Sequence, residues 1–262
     1  RGGGGGGRGG GEGRGGGGGE GGKGGRGGKG GTGGTRGQGR QGDWETRGNF
    51  PLSPSLEDWL EVLPHQGAIL AARQIGSTGP LLAPMAACAT GIWAIAQGFE
   101  LIQMGQCQRV IAGAVEAPIT RLTLAGFEQM GALAKTGCYP FDSHREGLVL
   151  GEGAAVLVLE SAELALGRGA SIYGQVLGFG LTCDADHVSA PESGGNSAIA
   201  AIEQCLERSH LGAADIDYIH AHGTSTKLND RREAELIQEL FPQGVPVSST
   251  KGATGHTPGA SG

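Results

Sequence analysis

The sequence predicts an α/β fold with largely parallel strand pairing. Short apolar runs rich in β-branched residues alternate with segments whose apolar residues recur at helical spacing. The clearest strand is 153–160 (GAAVLVLE), and its continuous apolar character is typical of a strand that is covered on both faces. The clearest helix is 196–209, in which Ile199, Ile202 and Leu206 lie on one side.

The first 42 residues differ in composition from the rest of the chain. Residues 1–42 hold 28 of the 56 glycines, and their eight basic and two acidic residues leave a formal charge of +6. Glycine has no side chain to bury and loses the most backbone entropy on ordering, so this tract is predicted to be disordered. Residues 43–55, which contain Pro51 and Pro54, are predicted to be a linker, which leaves 56–262 as the folded domain.

Within that domain, a first helix is predicted over 56–75, broken near Pro64 because the proline ring and missing N–H disrupt a helix interior. A short apolar strand follows at 80–87 and ends at Cys88, and a buried helix starts at Gly91. The remaining predicted elements are strands at 109–115, 171–181, 216–221 and 245–250 and a helix at 230–241.

Composition excludes several classes of function. The chain has a net charge of −6, so residues 43–262 carry −12, and an acidic body argues against nucleic acid as the main ligand. The five cysteines form no C-x-x-C pair, which argues against a structural zinc site. Their odd number argues against a disulfide framework and suits a reducing compartment. No apolar run approaches the roughly 18 residues that span a bilayer, so no membrane association is expected.

Cys88 is the first candidate for chemistry. It lies in AACATG, between the predicted strand and the predicted helix. A thiol at a helix N-terminus faces the positive end of the helix dipole and free backbone N–H groups, which lower its pKa and make it a nucleophile for an acyl thioester. The alternative is that Cys88 is simply a small buried apolar side chain, and the local pattern by itself favours this alternative.

His222 is the second candidate. It lies in IHAHGTST, at the C-terminal end of the predicted strand 216–221, where open α/β sheets place their ligands. His220 faces the same side of the sheet because side chains alternate along a strand. A metal-binding pair is therefore an alternative, although no third ligand is evident nearby. A core histidine with a satisfied hydrogen bond is the other alternative.

A third candidate segment, STKGATGHTPGASG, contains Lys251 and His256 and again follows a predicted strand. Its glycines at 252, 255 and 259 allow the backbone to approach a ligand closely. A phosphate-binding loop has the order G-x-x-x-x-G-K-[ST], whereas Lys251 precedes the glycines here, which excludes that alternative.

Together, four segments resemble the β-ketoacyl-acyl-carrier-protein synthases of the condensing-enzyme family. The order and spacing match the stand-alone, elongation-type enzymes, and the resemblance covers about 56–262. It implies a thiolase-like layered α-β-α-β-α fold, incomplete in this chain. It also implies a homodimer in the bacterial cytoplasm or a plastid, with acyl carrier protein as the partner. The four segments are AACATG, PFDSHREGLVLGEGAAVLVLE, IHAHGTSTKLND and SSTKGATGHTPGASG.

The resemblance implies a Cys-His-His condensing site with no metal and no cofactor, since the substrate is carried on the phosphopantetheine of acyl carrier protein. Cys88 would take the acyl chain from a carrier-protein thioester. His222 and His256 would donate hydrogen bonds to the malonyl thioester oxygen and stabilise the enolate that forms as carbon dioxide leaves. Lys251 would support the second histidine electrostatically.

The resemblance also implies roles for residues around this centre. Thr224 and Thr226 would bind the pantetheine arm, and Phe127 would line the acyl pocket. Three charged residues would have structural roles around the site: Asp142, Arg145 and Glu152.

The family pattern extends beyond both ends of this chain. Family members have a βαβ portion before the cysteine strand, where this chain has the glycine-rich tract. After the last histidine they have a Gly-rich loop whose phenylalanine N–H completes the oxyanion hole. We therefore expect the chain to be truncated at both ends, with unpaired strands and uncovered apolar faces, and to be inactive or poorly folded by itself.

Two other functions remain as alternatives. One is a polyketide-synthase ketosynthase domain, although HGTST and KGATGH favour the stand-alone type. The other is a non-catalytic fragment with a Gly/Arg-rich RNA-binding tail, since Arg-Gly-Gly repeats occur in disordered RNA-binding segments. Residues 1–42 contain no aromatic residue for base stacking, which argues against RNA binding. A non-catalytic acyl-binding or chain-length-determining relative ranks low, because such relatives lack the nucleophilic cysteine, whereas Cys88 is present.

Overall fold

A computed structural model describes residues 55–187 and 190–261. The predicted glycine-rich tract and all but the last residue of the predicted linker lie outside the described residues. Two short helices begin the described chain, α1 (Leu56–Glu61) and α2 (Gln66–Ile75). Pro64 lies between them, which confirms the predicted break. Gly76 caps the end of α2: its φ of +68° turns the chain so that the Ser77 N–H donates to the Ala72 carbonyl at 2.8 Å.

The predicted strand at 80–87 is wrong. The structure has no strand there, and a single 3-10 turn, Ala87–Ala89, leads directly into helix α3 (Thr90–Gln103). A short apolar run fits a buried strand only if another strand pairs with it, and none of the described strands does. The predicted helix from Gly91 is confirmed, but it is only partly buried, since Ile92 remains 44% exposed.

The first sheet pairs β1 (Arg109–Glu116) with β2 (Gly153–Glu160). Their pairing is antiparallel, from Arg109↔Glu160 to Glu116↔Gly153, so the predicted parallel pairing is wrong for these strands. Helix α3 packs closely on this sheet at Gly98, where a Cβ would lie 3.0 Å from a Leu159 methyl carbon.

The prediction that β2 is covered on both faces is also wrong. Val156, Leu157 and Val158 are 63%, 49% and 55% exposed. Because successive side chains point to opposite faces, both faces of β2 are open to solvent here. Two further helices, not predicted from the sequence, flank this sheet along the chain: α4 (Arg121–Gln129) and α5 (Ala162–Gly167).

The predicted strand at 171–181 is absent, but the segment still packs against two helices. Phe179 meets the ring of Phe99 on α3 edge to face, at 6.1 Å between centroids, and the Arg208 guanidinium lies 4.4 Å above it. Arg208 belongs to α6 (Asn196–Ser209), which matches the predicted helix residue for residue. A Cβ at Gly180 would lie only 1.7 Å from the Ala201 carbonyl oxygen, so this approach to α6 requires glycine.

The second sheet holds the parallel pair that the sequence predicts. Strands β3 (Ile219–His220) and β4 (Val247–Ser248) pair in the register Ile219↔Val247, and both are shorter than predicted. Helix α7 (Lys227–Leu240) connects them and begins three residues before the predicted start. A one-turn helix, α8 (Lys251–Thr254), follows β4. Among the described helices, none is long and apolar enough to cross a bilayer.

Candidate active site

Cys88 is presented by a strained turn at the start of α3. The preceding residue, Ala87, has a φ of +48°, a left-handed conformation that costs a non-glycine residue about 1–3 kcal/mol. Thr90 holds the turn closed, since its Oγ1 accepts the Ala86 N–H at 3.0 Å and donates to the Ala87 carbonyl at 2.7 Å. The strain therefore lies next to the thiol, at a site where the surrounding hydrogen bonds maintain it.

His256 lies beside this thiol. Its Nε2 is 3.1 Å from the Cys88 Sγ, and its side chain is almost completely buried. The backbone of His256 is fixed by hydrogen bonds, because its N–H donates to Val149 at 2.6 Å and its carbonyl accepts from Gly151 at 2.8 Å. A Cβ at Gly151 would lie 2.2 Å from the Thr254 carbonyl oxygen, so glycine permits this close approach. On the far side of the ring, Nδ1 lies 3.0 Å from the Ser261 hydroxyl.

His222 completes the cluster from the loop after β3. Its ring meets that of His256 edge to face, with centroids 5.3 Å apart and planes at 82°. A single carboxylate holds its backbone: Glu233 Oε1 accepts the His222 N–H at 2.5 Å and Oε2 accepts the Gly223 N–H at 2.8 Å. The Cys88 sulfur and one nitrogen from each imidazole all lie within 4.8 Å of one another. Three sequence-predicted residues from distant parts of the chain therefore converge.

Burial sets the protonation states of this cluster. It lowers the pKa of His222 to about 3 and that of His256 to about 4, and the nearby Lys251 ammonium acts in the same direction. Both imidazoles are therefore neutral at pH 7. Burial also raises the pKa of the Cys88 thiol, although Lys251 and a backbone N–H oppose the shift. The predicted lowering of this pKa by the helix N-terminus is thus wrong in direction, because desolvation of the thiolate outweighs it.

Lys251 is fully buried at the first residue of α8. Its ammonium lies 3.4 Å from the Ser261 carbonyl oxygen. Burial lowers the pKa of Lys251, and the Glu233 carboxylate is the strongest of the groups that oppose the shift. Lys251 therefore acts on the cluster through its charge and through the loop that carries Ser261.

An open cavity of about 290 Å³ lies against the cluster. Cys88 and His222 line it, whereas Phe127, Thr224 and Thr226 are not among its lining residues. The described residues that line it are Cys88, Ala89, Ile92, His220, Ala221, His222 and Ser261. Phe127 lies half-buried on α4, and Thr224 and Thr226 hydrogen-bond to each other at 2.9 Å in the loop between β3 and α7.

His220 has a different environment from His222. Its Nε2 lies 3.2 Å from the Thr250 Oγ1 and 3.4 Å from the Thr250 nitrogen. The metal pair of His220 and His222 that the strand pattern left open is therefore replaced by a different grouping, in which Cys88 and His256 join His222.

The three charged residues with expected structural roles bind backbone groups. The Arg145 guanidinium donates to the Asp142 carbonyl at 2.8 Å and the Lys227 carbonyl at 3.2 Å, and lies 3.8 Å from the buried Asp230 carboxylate. A Glu152 carboxylate oxygen accepts the Ile119 N–H at 3.3 Å.

Sequence reasoning missed four residues that support the site. Glu233 and Asp230 lie in the first half of α7, and Asp230 accepts the Ser225 N–H at 3.0 Å. Acidic residues near a helix N-terminus, directly after the Gly-containing HGTST loop, are a signal that was available. Ser261 and Glu116 carry no such signal. Glu116, at the end of β1, accepts the Gly259 N–H at 2.9 Å and so ties the loop after His256 to the sheet.

Two family descriptions together match most of the chain. The β-ketoacyl synthase N-terminal domain matches residues 33–165, and the C-terminal domain matches residues 173–262. A 3-oxoacyl-[acyl-carrier-protein] synthase 2 of Staphylococcus aureus is 41% identical over 196 residues, which are 72% of this chain and 49% of that protein. One of the same name from Synechocystis is 43% identical over 202 residues, 74% of this chain and 49% of that protein. The chain thus spans about half the length of the curated relatives it matches.

Solved structures agree on the fold. A β-ketoacyl synthase from Burkholderia phymatum has a TM-score of 0.75 and 34% identity, covering 79% of this chain and 51% of its own. The ishigamide ketosynthase/chain length factor has the same TM-score and coverage at 33% identity. A type II PKS acyl-carrier protein in complex with its ketosynthase also has a TM-score of 0.75, at 31% identity, covering 79% of this chain and 53% of its own. The chain, with the thiolase-like α/β fold of these ketosynthases, belongs to the β-ketoacyl synthase family.

Proposed function

We propose that this chain carries the acyl-transfer and condensation centre of a 3-oxoacyl-acyl-carrier-protein synthase of fatty-acid elongation. The observation that carries the proposal is the position of the Cys88 Sγ, 3.1 Å from the His256 Nε2 and beside the ring of His222. A nucleophile within hydrogen-bond reach of a base, which is itself oriented by a third group, is the arrangement of covalent acyl transfer. Here the third group is the Ser261 hydroxyl.

The first step forms an acyl-enzyme. His256 Nε2 accepts the thiol proton of Cys88 as the sulfur attacks the carbonyl of an acyl thioester on the carrier protein. The bond from the carbonyl to the phosphopantetheine sulfur then breaks, and the departing thiolate takes a proton. Because the thiol pKa is raised, the adjacent base has to remove the proton during attack, since little thiolate is present beforehand.

The second step condenses the acyl group with a malonyl unit. Neutral His222 and His256 donate N–H hydrogen bonds to the malonyl thioester oxygen, which becomes the enolate oxygen as carbon dioxide leaves. The enolate carbon attacks the acyl-Cys88 carbonyl, and the Cys88 thiolate departs and is reprotonated. The product carries two more carbons and a 3-oxo group. Low imidazole pKa values suit this role, because a neutral imidazole donates without protonating the enolate.

The two steps require different tautomers of His256. In the first step Nε2 accepts a proton, and in the second step Nε2 carries a proton and donates a hydrogen bond. The Ser261 hydroxyl can serve both tautomers, because it accepts from a protonated Nδ1 and donates to a bare one. We assign Ser261 as a positioning residue for His256. Lys251 holds the same segment through the Ser261 carbonyl.

The substrates and partner follow from this chemistry. Acyl and malonyl groups would both arrive on the phosphopantetheine of an acyl carrier protein, and the reaction as written needs no further cofactor or metal. Thr224 and Thr226 are proposed to bind the pantetheine arm and Phe127 to line the acyl pocket, as the family resemblance implies. Among the related structures, one ketosynthase is itself named in complex with its acyl-carrier protein.

A polyketide ketosynthase is the second candidate, favoured by the polyketide-type names among the structural relatives. Their identities of 33% and 31% are lower than the 41% and 43% of the 3-oxoacyl-acyl-carrier-protein synthases. We therefore rank fatty-acid elongation first. The RNA-binding alternative depends on residues 1–42, which lie outside the described residues.

The proposal is tested by the condensation assay itself. Purified chain is given an acyl-carrier-protein thioester and malonyl-carrier-protein, and the 3-oxoacyl product is measured by mass spectrometry. The proposal predicts product from the wild type and from His220→Asn, but not from His256→Ala or His222→Ala. Product from the wild type would overturn the sequence-based expectation that the chain is inactive by itself. Equal product formation by the wild type and by both alanine variants would contradict the assigned roles.

A further inference from the structure

The three side chains of the cluster form a convergent set of soft donors. The Cys88 sulfur and a nitrogen from each of His222 and His256 lie within 4.8 Å of one another, at the edge of an open cavity. Thiolate and imidazole are the ligand types that zinc prefers in proteins. A set of three protein ligands with an open fourth position is also the usual composition of an accessible zinc site rather than a closed structural one.

The distances fit a tetrahedral ion. Zinc bonds of about 2.3 Å to sulfur and 2.0–2.1 Å to nitrogen place sulfur and nitrogen about 3.6 Å apart, and two nitrogens about 3.3 Å apart. The Cys88 Sγ and His256 Nε2 are now 3.1 Å apart, and the other pairs lie within 4.8 Å. Closing a separation of at most 4.8 Å to about 3.3 Å requires a relative movement of at most about 1.5 Å, shared between two side chains.

An outer shell of contacts already orients the ligands. The Ser261 hydroxyl contacts the His256 Nδ1, so it can hold the tautomer that leaves the Nε2 lone pair free, as partners of zinc-bound histidines do. Glu233 accepts the His222 and Gly223 N–H groups with its two carboxylate oxygens, and one Glu116 oxygen accepts the Gly259 N–H. Both Glu233 oxygens are therefore occupied by amides, and the group of possible ligands consists of one thiolate and two imidazoles.

Charge restricts which ion can bind. The buried Lys251 ammonium lies near the cluster and opposes any cation, whereas the thiolate that forms on binding supplies one compensating negative charge. Ions that bond weakly to sulfur gain too little binding free energy to displace the thiol proton. The site should therefore bind zinc and similar thiophilic ions in preference to magnesium or calcium.

We propose that Cys88, His222 and His256 form a binding site for a thiophilic divalent cation such as Zn²⁺, which displaces the Cys88 thiol proton and blocks the nucleophile. The released proton goes to solvent, and the fourth position, facing the cavity, takes a water molecule. Bound metal and acyl-enzyme exclude each other, because both use the Cys88 sulfur. This site is inhibitory and goes beyond the proposed condensation function.

The test measures metal binding and thiol protection rather than turnover. Metal-free protein is titrated with Zn²⁺, and alkylation of each cysteine by iodoacetamide is followed by peptide mass spectrometry. Cys88 alkylation is expected to slow about tenfold or more at one equivalent, because a metal-bound thiolate is a poor nucleophile. The exposed Cys183 provides the internal control and is expected to react unchanged. Co²⁺ serves as a spectroscopic probe, with thiolate charge-transfer and tetrahedral d–d bands expected, and Mg²⁺ should have no effect.

Matched variants separate the site from adventitious binding. Cys88→Ser and His256→Asn are expected to weaken Zn²⁺ binding by at least about 100-fold, more than loss of an outer-shell partner costs. His220 lines the same cavity but is not a proposed ligand, so the Zn²⁺ affinity of His220→Asn should equal that of the wild type. The proposal is overturned if Zn²⁺ leaves Cys88 alkylation unaffected, or if Cys88→Ser binds as tightly as the wild type. Acylation of the metal-free protein by a thioester tests the condensation function independently of either result.

Discussion

At the scale of single residues, the site is governed by burial. The Cys88 thiol lies at a helix start that favours thiolate, yet burial raises its pKa, and burial also keeps both imidazoles neutral. A neutral thiol paired with a neutral base can react with a thioester in contact with both. The same neutral thiol should react slowly at pH 7 with reagents that attack only the thiolate.

The pH dependence of Cys88 alkylation tests this reading. Because burial raises the folded-state pKa of Cys88, the thiolate fraction and hence the iodoacetamide rate should still be rising at a pH where a solvated cysteine has reached its plateau. In urea-unfolded chain the same cysteine should approach its plateau at lower pH. Because the folded pKa is raised, the neutral thiol contributes stability that is present below the unfolded pKa and lost as pH rises through the folded one. A folded-state plateau below pH 8 would show instead that the helix N-terminus dominates.

Glu233 is expected to be a positioning residue for His222. Glu233→Gln replaces a carboxylate that accepts two backbone N–H groups, and charge-assisted hydrogen bonds contribute about 1.5–3 kcal/mol each. We expect a fall in the condensation rate with a smaller change in the rate of Cys88 acylation, because His256 is the base for the latter. Glu235→Gln, on the exposed side of the same helix, is the control and should change stability by under about 1 kcal/mol. Equal effects of the two variants would contradict the assignment.

Ser261→Ala removes the hydroxyl beside the His256 Nδ1. Loss of a neutral hydrogen bond of about 1 kcal/mol predicts a rate roughly fivefold lower. Single-turnover kinetics of acylation and of condensation would show whether both steps fall, as expected if the hydroxyl serves both tautomers. Ser261→Thr keeps the hydroxyl and should restore most of the rate. If Ser261→Ala matched the wild type in both steps, Ser261 would have no positioning role.

At the scale of elements, sequence periodicity was most informative where a segment's own pattern decides its structure. Helix α6 was predicted residue for residue, and Pro64 located the break between α1 and α2. The predicted strand at 171–181 was wrong because the structure of this segment depends on its partners. Phe179 packs against side chains from α3 and α6, and the segment joins no sheet among the described residues. The prediction of parallel pairing was wrong for β1 and β2 for the same reason, since no residue pattern within 153–160 indicates an antiparallel partner.

The same distinction applies to the candidate site. Cys88, His222 and His256 could be proposed because the motifs that contain them jointly resemble a known family. The local pattern around Cys88 by itself favoured a buried apolar side chain. Ser261 and Glu116 could not be proposed, because Ser261 meets the His256 ring only in the folded loop, and Glu116 meets Gly259 only when that loop lies against the end of β1. The pKa of Cys88 was misjudged because a sequence shows the helix start but not the depth of burial.

Gly180 tests the packing of the segment at 171–181 on α6. A Cβ there would lie 1.7 Å from the Ala201 carbonyl oxygen, so Gly180→Ala should force a backbone shift that destabilises the fold by about 1–3 kcal/mol. Gly126→Ala in helix α4 is the control, since a Cβ there meets nothing within 4 Å and alanine favours helix by up to about 1 kcal/mol. Urea denaturation of both variants measures the difference. A Gly180→Ala variant as stable as the wild type would contradict the close packing described here.

At the scale of the whole molecule, two distant parts of the chain make one centre. Cys88 comes from the part matched by the N-terminal family description, and both histidines come from the part matched by the C-terminal one. The loop from His256 to Ser261 belongs to the C-terminal part and contacts the N-terminal part at both Cys88 and Glu116. Assembly of the nucleophile with its base therefore reports that the two parts have folded together.

The most direct test of the central claim is mass spectrometry of the intact chain after incubation with an acyl-acyl-carrier-protein thioester. We predict one acyl adduct, located on Cys88, that is lost in Cys88→Ala, kept in Cys183→Ala and removed by added malonyl-carrier-protein. This adduct would also overturn the sequence-based expectation that the chain is inactive by itself. A soluble chain that gains no adduct, or gains it equally in Cys88→Ala, would contradict the assignment of Cys88 as the acyl-accepting nucleophile.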